Sequence, residues 1–327
     1  MIVVNYNSKP FIGIFKRLIK GIVELQKLVD GKLLLVDNAS TDGSYEEIVE
    51  HAHRLNADFE AIRLSRNFGF TRAVNIAWHY ARKRWCFRYL ALLNNDLVIV
   101  PRNFAKVLKY LKLSGVAGVQ GIIMQMRNTA LIDNAGFLID QLGQTYPVCR
   151  GYTLNCARLY TPSYISGACS IYRADAIEKL GQPFDNRVES YYDDKHLGLR
   201  LWNAGYKLLH IPVIVAYHLG SASYSGFNAV IKGPLWFEGI LLAEIAPTWK
   251  SMTALFLLGW YGLVAAFASL LTARTYIKSY VKTVKKLSIF TNKLGLKNVP
   301  KVPPGEAISL LGNRVVRGAI LRRLWQQ

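Results

Sequence analysis

The sequence predicts a three-layer α/β domain with a mostly parallel sheet, followed by an apolar helical segment and a basic tail. Short apolar or β-branched runs alternate with helical patterns from residue 1 to about 220, and this order favours strand–helix–strand crossovers. With 327 residues, 51% of them hydrophobic, the chain can bury a sizeable core. The predicted regions are 1–225, 226–273 and 274–327.

Six apolar runs are the predicted strands, and an amphipathic helix lies between the first two. That helix runs from Phe11 to Leu28, where apolar residues recur at three- and four-residue spacing. The predicted strands are Ile2–Tyr6, Lys32–Val36, Phe59–Leu64, Tyr89–Leu93, Gly118–Met124 and Leu208–Ala216.

Polar side chains stand where three of these strands end. Asn5 and Asn7 stand at the end of the first strand, Asp37 and Asn38 follow the second, and Asn94 to Asp96 follow the fourth. Ordinary turn chemistry explains one such end, because Asn and Asp favour turns. Three ends at one edge of a parallel sheet favour a ligand site, since ligands gather beyond the carboxyl ends of the strands.

The chain is strongly basic, and its positive charge is concentrated near the C-terminus. Lys and Arg number 41 against 21 Asp and Glu, which gives a net charge of +20 and favours an anionic partner. Residues 272–327 contain 12 of the basic residues and one acid, and they follow 251–271, which carries no charge. That segment is long enough to span a bilayer, although a buried helix of a soluble protein is the alternative.

We therefore expect an anionic membrane surface as a partner and no nucleic acid, since the basic residues lie beside the longest apolar run and form no recognisable nucleic-acid motif. The four cysteines, at positions 86, 149, 156 and 169, have no C-x-x-C spacing. This usage predicts reduced thiols and no structural zinc site. The N-terminal residues lack the pattern of a signal peptide.

Three stretches contain side chains suited to chemistry. Arg66 and Arg72 flank the turn Asn67-Phe68-Gly69 before a helix, an arrangement suited to a diphosphate. Asp96 is suited to a divalent cation, because Mg²⁺ takes one or two carboxylates together with substrate phosphates.

Asp193 and Asp194 open a predicted helix, and one adjacent carboxylate can raise the pKa of the other and make it a general base. The alternative is that both carboxylates only favour the helix dipole. His218, at the end of the last predicted strand, is either a ligand or a satisfied core histidine.

Together these stretches resemble the family 2 glycosyltransferases, which are inverting nucleotide-sugar enzymes with the Rossmann-like GT-A fold. The resemblance covers residues 1 to about 225, and its segments stand in the family's order. They are VVNYNS (3–8), VDNASTDGS (36–44), NFGFTRAVN (67–75), LLNNDLVIVP (92–101), ISGACSIYRADAIEKLGQPFD (165–185), YDDKHLGLRLWNAGY (192–206) and HLGSAS (218–223).

The resemblance implies a role for each matching residue. Asp194 matches the catalytic base, and Asp96 and His218 match the ligands of a divalent metal, Mg²⁺ or Mn²⁺. The residues placed around the nucleotide and the donor are Asn5, Asp37, Asn67, Arg72, Asn94 and Asn95. The residues placed around the sugar and the acceptor are Gly167, Ala168 and Asp193.

The chain departs from the family pattern at two motifs. Asn94 replaces the first acid of the D-x-D motif, so Asp96 is its remaining carboxylate. In the segment DDKHLGLR (193–200), Asp193 replaces the usual Glu and His196 replaces the second Asp, whereas Arg200 is kept.

The resemblance implies an inverting transfer of sugar from a nucleotide-diphosphate sugar to an acceptor hydroxyl. The apolar segment favours a lipid-linked acceptor, and a surface glycan is the other expectation. Because the basic tail and the catalytic domain should share the cytoplasmic face of the cell membrane, we expect 251–271 to form a hairpin or to lie in the interface. A membrane-tethered sugar-nucleotide-binding protein without activity is the alternative.

Overall fold

The computed structural model describes residues 1–139, 145–187, 193–220, 294–296 and 298–301. Its centre is a nine-stranded sheet with helices on both faces. The helices are α1 (Ile12–Gln26), α2 (Ser44–Arg54), α3 (Phe70–Arg84), α4 (Pro101–Val107), α5 (Ala174–Lys179) and α6 (Asp193–Asn203). The strands are β1 (Ile2–Asn5), β2 (Leu33–Asp37), β3 (Phe59–Arg63), β4 (Tyr89–Leu93), β5 (Leu97–Ile99), β6 (Val116–Gln125), β7 (Ile132–Asn134), β8 (Phe137–Ile139), β9 (Thr145–Pro147), β10 (Cys169–Arg173) and β11 (Lys207–His218).

All six predicted strands are present, with ends that differ by at most two residues from the prediction. They are β1, β2, β3, β4, β6 and β11. The first four are neighbours in the order β3-β2-β1-β4 and run parallel. Asn5 pairs in register with Asp37, which confirms that the polar ends of β1 and β2 meet at one edge.

Six strands share one direction, including the parallel pair β6 and β11, and strands of the opposite direction join them in the second half of the sheet. β10 lies between β4 and β6 and runs antiparallel to both, and β5 runs antiparallel to β11. β10 has a weak strand pattern, because its five residues include only one β-branched side chain, Ile171. The sheet is therefore mixed.

The core consists of two large apolar layers, one on each face of the sheet. One layer contains the buried faces of α1 and α2, and the other contains those of α3, α5 and α6. The predicted helix at Phe11–Leu28 is observed as α1, whose inward face is fully buried at Phe15, Leu18, Ile19 and Ile22. This arrangement confirms the three-layer α/β domain.

Two of the four cysteines contradict the expectation of reduced thiols. Cys149 and Cys156 form a disulfide, with Cα atoms 5.7 Å apart, a separation that a disulfide readily spans. The sequence could not indicate this pair, because the close approach depends on the turn between them and on the left-handed backbone of Cys149, whose φ is 55°. Cys86 and Cys169 are free, the first exposed and the second buried.

Among the described residues, no helix combines the length and the apolar character that a bilayer crossing requires. The uncharged segment 251–271 and the regions 226–273 and 274–327 lie outside them, apart from the short stretches 294–296 and 298–301.

Candidate active site

The ends of β1 and β2 are joined by a buried polar network. The side-chain amide of Asn5 lies 2.8 Å from Oδ1 of Asp37 and 3.1 Å from the hydroxyls of Ser40 and Ser44. The hydroxyl of Ser8 donates to the amide oxygen of Asn5. Asn5 and Asp37 are both fully buried, so hydrogen bonding within the chain offsets the cost of burying them.

The second oxygen of Asp37 is also occupied. Oδ2 accepts a hydrogen bond from the amide of Ser40 at 3.0 Å and lies 3.3 Å from Nε of Arg63. Arg63 is partly exposed and also pairs with Glu46 at 2.6 Å. A nucleotide base that bound Asp37 would therefore share the carboxylate with these groups.

The turn before α3 is held by Asn38, one of the polar residues predicted at the end of the second strand. Asn38, directly after β2, donates to Oδ1 of Asn67 at 2.8 Å and accepts a hydrogen bond from the amide of Phe68 at 2.9 Å. The guanidinium of Arg66 lies over the ring of Phe68, 4.8 Å from its centroid. Asn67 therefore lies beside the network of Asn5 and Asp37, and its contact with the nucleotide stays a prediction.

Arg72, in the first turn of α3, reaches away from this turn. Its Nε donates to the carbonyl of Asn186 at 3.1 Å. The neighbouring Asn75 is buried and bonds the amide and the carbonyl of Phe184 at 3.0 and 2.8 Å. These contacts tie α3 to the loop after α5, and the predicted phosphate contact of Arg72 stays a prediction.

The polar triplet after β4 is brought against the end of β11 by the short strand β5. β5 pairs with β11 so that Leu97 stands opposite His218, and Asp96 precedes Leu97. As a result, Oδ1 of Asp96 lies 3.1 Å from Nε2 of His218, and the carbonyl of Asp96 accepts a hydrogen bond from Leu219 at 3.0 Å. The structure thus brings together the two residues predicted to bind metal.

His218 has a second carboxylate partner, Asp133, which the sequence analysis missed. Nδ1 of His218 lies 2.8 Å from Oδ2 of Asp133 in β7. Burial alone would lower the pKa of His218, but the hydrogen bonds with Asp133 and Asp96 outweigh it and raise the pKa to about 9. An acid within the apolar run ALIDNAGFLI (130–139) was the signal available in the sequence.

The pair of Asp96 and His218 fits a divalent cation that is completed by substrate. Metal bonds of 2.0–2.1 Å in octahedral geometry place neighbouring ligands ~3 Å apart, and the two side chains are 3.1 Å apart. The described residues contain no cluster of three or more potential ligands. Mg²⁺ and Mn²⁺ commonly complete one or two protein ligands with phosphate oxygens and water.

Asp194 lies at the start of α6 against the loop before β10. Its carboxylate accepts hydrogen bonds from the amide of Gly167 at 3.3 Å and from the amide of Lys195 at 2.8 Å. Burial raises the pKa of Asp194 to about 6, although these hydrogen bonds and the charge of Lys195 act in the opposite direction. An acid with this pKa is ionised at neutral pH and can accept a proton.

Gly167 and Ala168 connect Asp194 with the triplet after β4. The carbonyl of Ala168 accepts a hydrogen bond from the amide of Asn94 at 2.9 Å. A Cβ atom on Gly167 would lie 3.7 Å from Cβ of Asp194 and 3.8 Å from Oδ2 of Asp193. The residues predicted for the sugar and acceptor pocket are thus gathered between Asn94 and α6, with Asn95 buried beside Asp96.

The two remaining residues of the α6 motif, His196 and Arg200, lie beside the loop at 180–187. Arg200 donates to the carbonyls of Leu180, Gln182 and Pro183, at 2.6, 3.2 and 3.1 Å, so it holds that loop against α6. His196, which replaces an acid of the family pattern, is buried and lines a cavity of about 340 Å³ beside the same loop.

The chain belongs to glycosyl transferase family 2. The family model matches residues 1–181, more than half of the chain, and the mixed Rossmann-like sheet is that of the GT-A fold. The protein is thus a glycosyltransferase. A comparison with curated protein sequences finds no significant match.

Solved structures confirm the fold. GalNAc-T7 with UDP, GalNAc and Mn²⁺ is similar with a TM-score of 0.59 and 16% identity over 76% of this chain, which spans about half (48%) of that one. The mannosyltransferase PcManGT from Pyrobaculum calidifontis, with GDP-Man and Mn²⁺, has a TM-score of 0.51 and 15% identity over 97% of this chain and 79% of its own. S. aureus TarS 1–349 with UDP-GlcNAc has a TM-score of 0.55 and 13% identity over 88% and 82%.

Proposed function

We propose that the protein transfers a sugar from a nucleoside-diphosphate sugar to an acceptor hydroxyl with inversion at the anomeric carbon, using Mg²⁺ or Mn²⁺. The observation that carries this proposal is the placement of two functional pairs around one loop. Asp96 contacts His218, and Asn94, two residues before Asp96, bonds Ala168, which follows the Gly167 that contacts Asp194. The first pair suits the diphosphate and the second suits the attacking hydroxyl.

Asp194 is the base in this reaction. It accepts the proton of the acceptor hydroxyl while the oxygen attacks the anomeric carbon and the bond to the diphosphate breaks. The amides of Gly167 and Lys195 fix the carboxylate in place, and burial raises its pKa to about 6, so that the ionised form is present at neutral pH and is more basic than an exposed aspartate.

The departing diphosphate carries the charge that develops in the transition state. Asp96 and His218 would hold the divalent cation, which when bound neutralises that charge. Complexes with UDP, GDP-Man and UDP-GlcNAc among the similar structures support a nucleotide sugar as the donor. The base contact proposed for Asp37 suits the N–H of uracil or thymine and is also compatible with guanine.

The acceptor is proposed to be lipid-linked or a surface glycan, presented at the cytoplasmic face of a membrane. The uncharged run 251–271 and the 12 basic residues of 272–327 support binding to an anionic bilayer surface. Cosedimentation of the full chain with phosphatidylglycerol vesicles, and much less with phosphatidylcholine vesicles, is the expected result. Equal recovery with both vesicle types would contradict the charge-based part of the proposal.

A donor panel tests the proposed reaction. The full chain is incubated with UDP-, dTDP- and GDP-sugars in Mn²⁺, in Mg²⁺ and in EDTA, with lipid extract or polysaccharide as the acceptor, and release of nucleoside diphosphate is measured. We expect release from one nucleotide class, only with metal, and a product of the opposite anomeric configuration by NMR. Donor binding without release under every condition would favour the inactive binding protein instead.

A further inference from the structure

We propose that Asp133 is a positioning residue of the metal site, which orients the imidazole of His218 so that Nε2 faces Asp96. The inference rests on the proposed function, because it assumes that Asp96 and His218 hold the divalent cation. It goes further by assigning the site a third residue, which does not touch the metal.

Each of the two nitrogens of the His218 imidazole lies against a carboxylate. Nδ1 of His218 lies 2.8 Å from Asp133, and Nε2 lies 3.1 Å from Asp96. A histidine that binds metal through one nitrogen almost always donates the other N–H to a carboxylate, a carbonyl or water, which fixes both the tautomer and the plane of the ring. Asp133 holds that position for His218.

The backbone of β7 is built to point Asp133 toward His218. Ile132 pairs with Met124 of β6, and Asn134 pairs with the preceding residue, Ile123. The register therefore shifts by one residue, and Asp133 is the extra residue of a bulge in β7. Such bulges re-aim a side chain and are common beside active sites. β6 separates β7 from β11, so the Asp133 side chain must cross one strand to reach His218.

A surface ion pair with Arg150 is the competing explanation for Asp133. The shortest distance between the two charged groups is 3.8 Å, and the side chain of Arg150 is 62% exposed. An exposed pair at this distance contributes little. The Asp133 side chain is only 18% exposed and the His218 side chain 13%. The contact of Asp133 with His218 is therefore both shorter and better shielded from solvent than its contact with Arg150, and it is the main interaction of Asp133.

The test measures metal affinity separately from activity. Mn²⁺ binding to the full chain is followed by electron paramagnetic resonance of free Mn²⁺, with and without UDP or GDP, for the wild type, Asp133→Ala and Asp133→Asn. We expect Asp133→Ala to weaken Mn²⁺ binding 10–100-fold. Asp133→Asn should recover much of the affinity, because its amide oxygen still accepts the hydrogen bond from Nδ1.

Kinetics separate positioning from a general loss of structure. With an active donor, Asp133→Ala should raise the Mn²⁺ concentration for half-maximal rate while kcat at saturating Mn²⁺ stays within about threefold of the wild type. Arg150→Ala and Asp175→Ala are the matched controls, because each removes one partner of a surface ion pair, and both should leave Mn²⁺ affinity within about twofold.

Three results would overturn the inference. They are unchanged Mn²⁺ affinity in Asp133→Ala, an effect of Arg150→Ala as large as that of Asp133→Ala, and absence of Mn²⁺ binding in the wild type. If the wild type turns over a nucleotide sugar and the Asp133 variants bind Mn²⁺ normally, only the inference fails. If the wild type turns over no donor, the proposed function fails.

Discussion

Nε2 of His218 lies 3.1 Å from Oδ1 of Asp96, although 122 positions separate the two residues in the chain. The short antiparallel strand β5 makes this contact possible, because it turns back from the end of β4 and pairs with the last residues of β11. The contact brings together, beyond the carboxyl end of β4, the carboxylate and the imidazole that are proposed to hold the divalent cation.

Replacement of Asp96 tests the metal ligand. Asp96→Ala is expected to lower Mn²⁺-dependent turnover at least about 100-fold, since a single carboxylate is the charged ligand of the site. Initial rates with Mn²⁺ and with EDTA measure the effect, and Asp175→Ala is the control for loss of an unrelated carboxylate. Full metal-dependent activity in Asp96→Ala would mean that the triplet Asn94-Asn95-Asp96 only forms a turn and does not bind the metal.

The acid side of the pH–rate profile tests the state of Asp194. The pKa of about 6 means that the base becomes protonated as the pH falls, so kcat/KM should drop about tenfold per unit below pH 6 and stay level between about pH 6.5 and 8. Initial rates from pH 4.5 to 8 at saturating metal measure it. A level profile down to pH 4.5 would contradict this role.

The buried network at the ends of β1 and β2 predicts a stability effect. Asn5→Ala removes the amide that donates to Oδ1 of Asp37 and accepts a hydrogen bond from the hydroxyl of Ser8. These two buried groups then lose that hydrogen-bond partner. The free energy of unfolding should fall by about 1–3 kcal/mol. Urea unfolding measures the change, and Asn128→Ala, at an exposed turn, should change it by less than about 0.5 kcal/mol.

Thiol reactivity tests the cysteine pairing. In the native protein the exposed Cys86 should react with iodoacetamide, whereas the disulfide-bonded Cys149 and Cys156 should not. Cys169 should also resist, because burial raises its pKa to about 12. Mass spectrometry after non-reducing alkylation should show one modification. Three modifications would mean that the pair is reduced, as thiols in a reducing cytoplasm usually are.

Much of the domain was readable from the sequence because it is built from local patterns. The buried strands β1, β2 and β4 and the amphipathic helix α1 follow from hydrophobic spacing alone, and parallel pairing then places Asn5 beside Asp37. The meeting of Asp96 with His218 came instead from the resemblance to a family, since nothing local specifies a pairing between residues so far apart.

The features that were missed depend on contacts between distant parts of the chain. Asp133 lies in a three-residue strand, too short for a period-two signal, and its direction depends on the register shift against β6. The position of β10 between β4 and β6 and the pairing of Cys149 with Cys156 likewise depend on the path of the connecting loops. Asn38 was expected at the end of the second strand, but its partner Asn67 could not be predicted because the two residues meet only in the folded chain.

The substitution Asp194→Asn also has a predicted effect on stability, which serves as a control for folding. Burial raises the pKa from 3.8 to about 6, so the folded state holds the proton more tightly than the unfolded state does. This contribution to stability is present below pH 3.8 and is lost as the pH rises through 6. At pH 8 the Asn variant should therefore be more stable, by up to about 3 kcal/mol.

The most direct test of the account is turnover by Asp194→Asn, measured with donor binding on the same preparation. We predict that release of nucleoside diphosphate in the presence of acceptor falls about 10²–10⁴-fold, while the dissociation constant of the donor with Mn²⁺ changes less than about threefold. Turnover at the wild-type rate by this variant would contradict the assignment of Asp194 as the base and with it the proposed mechanism.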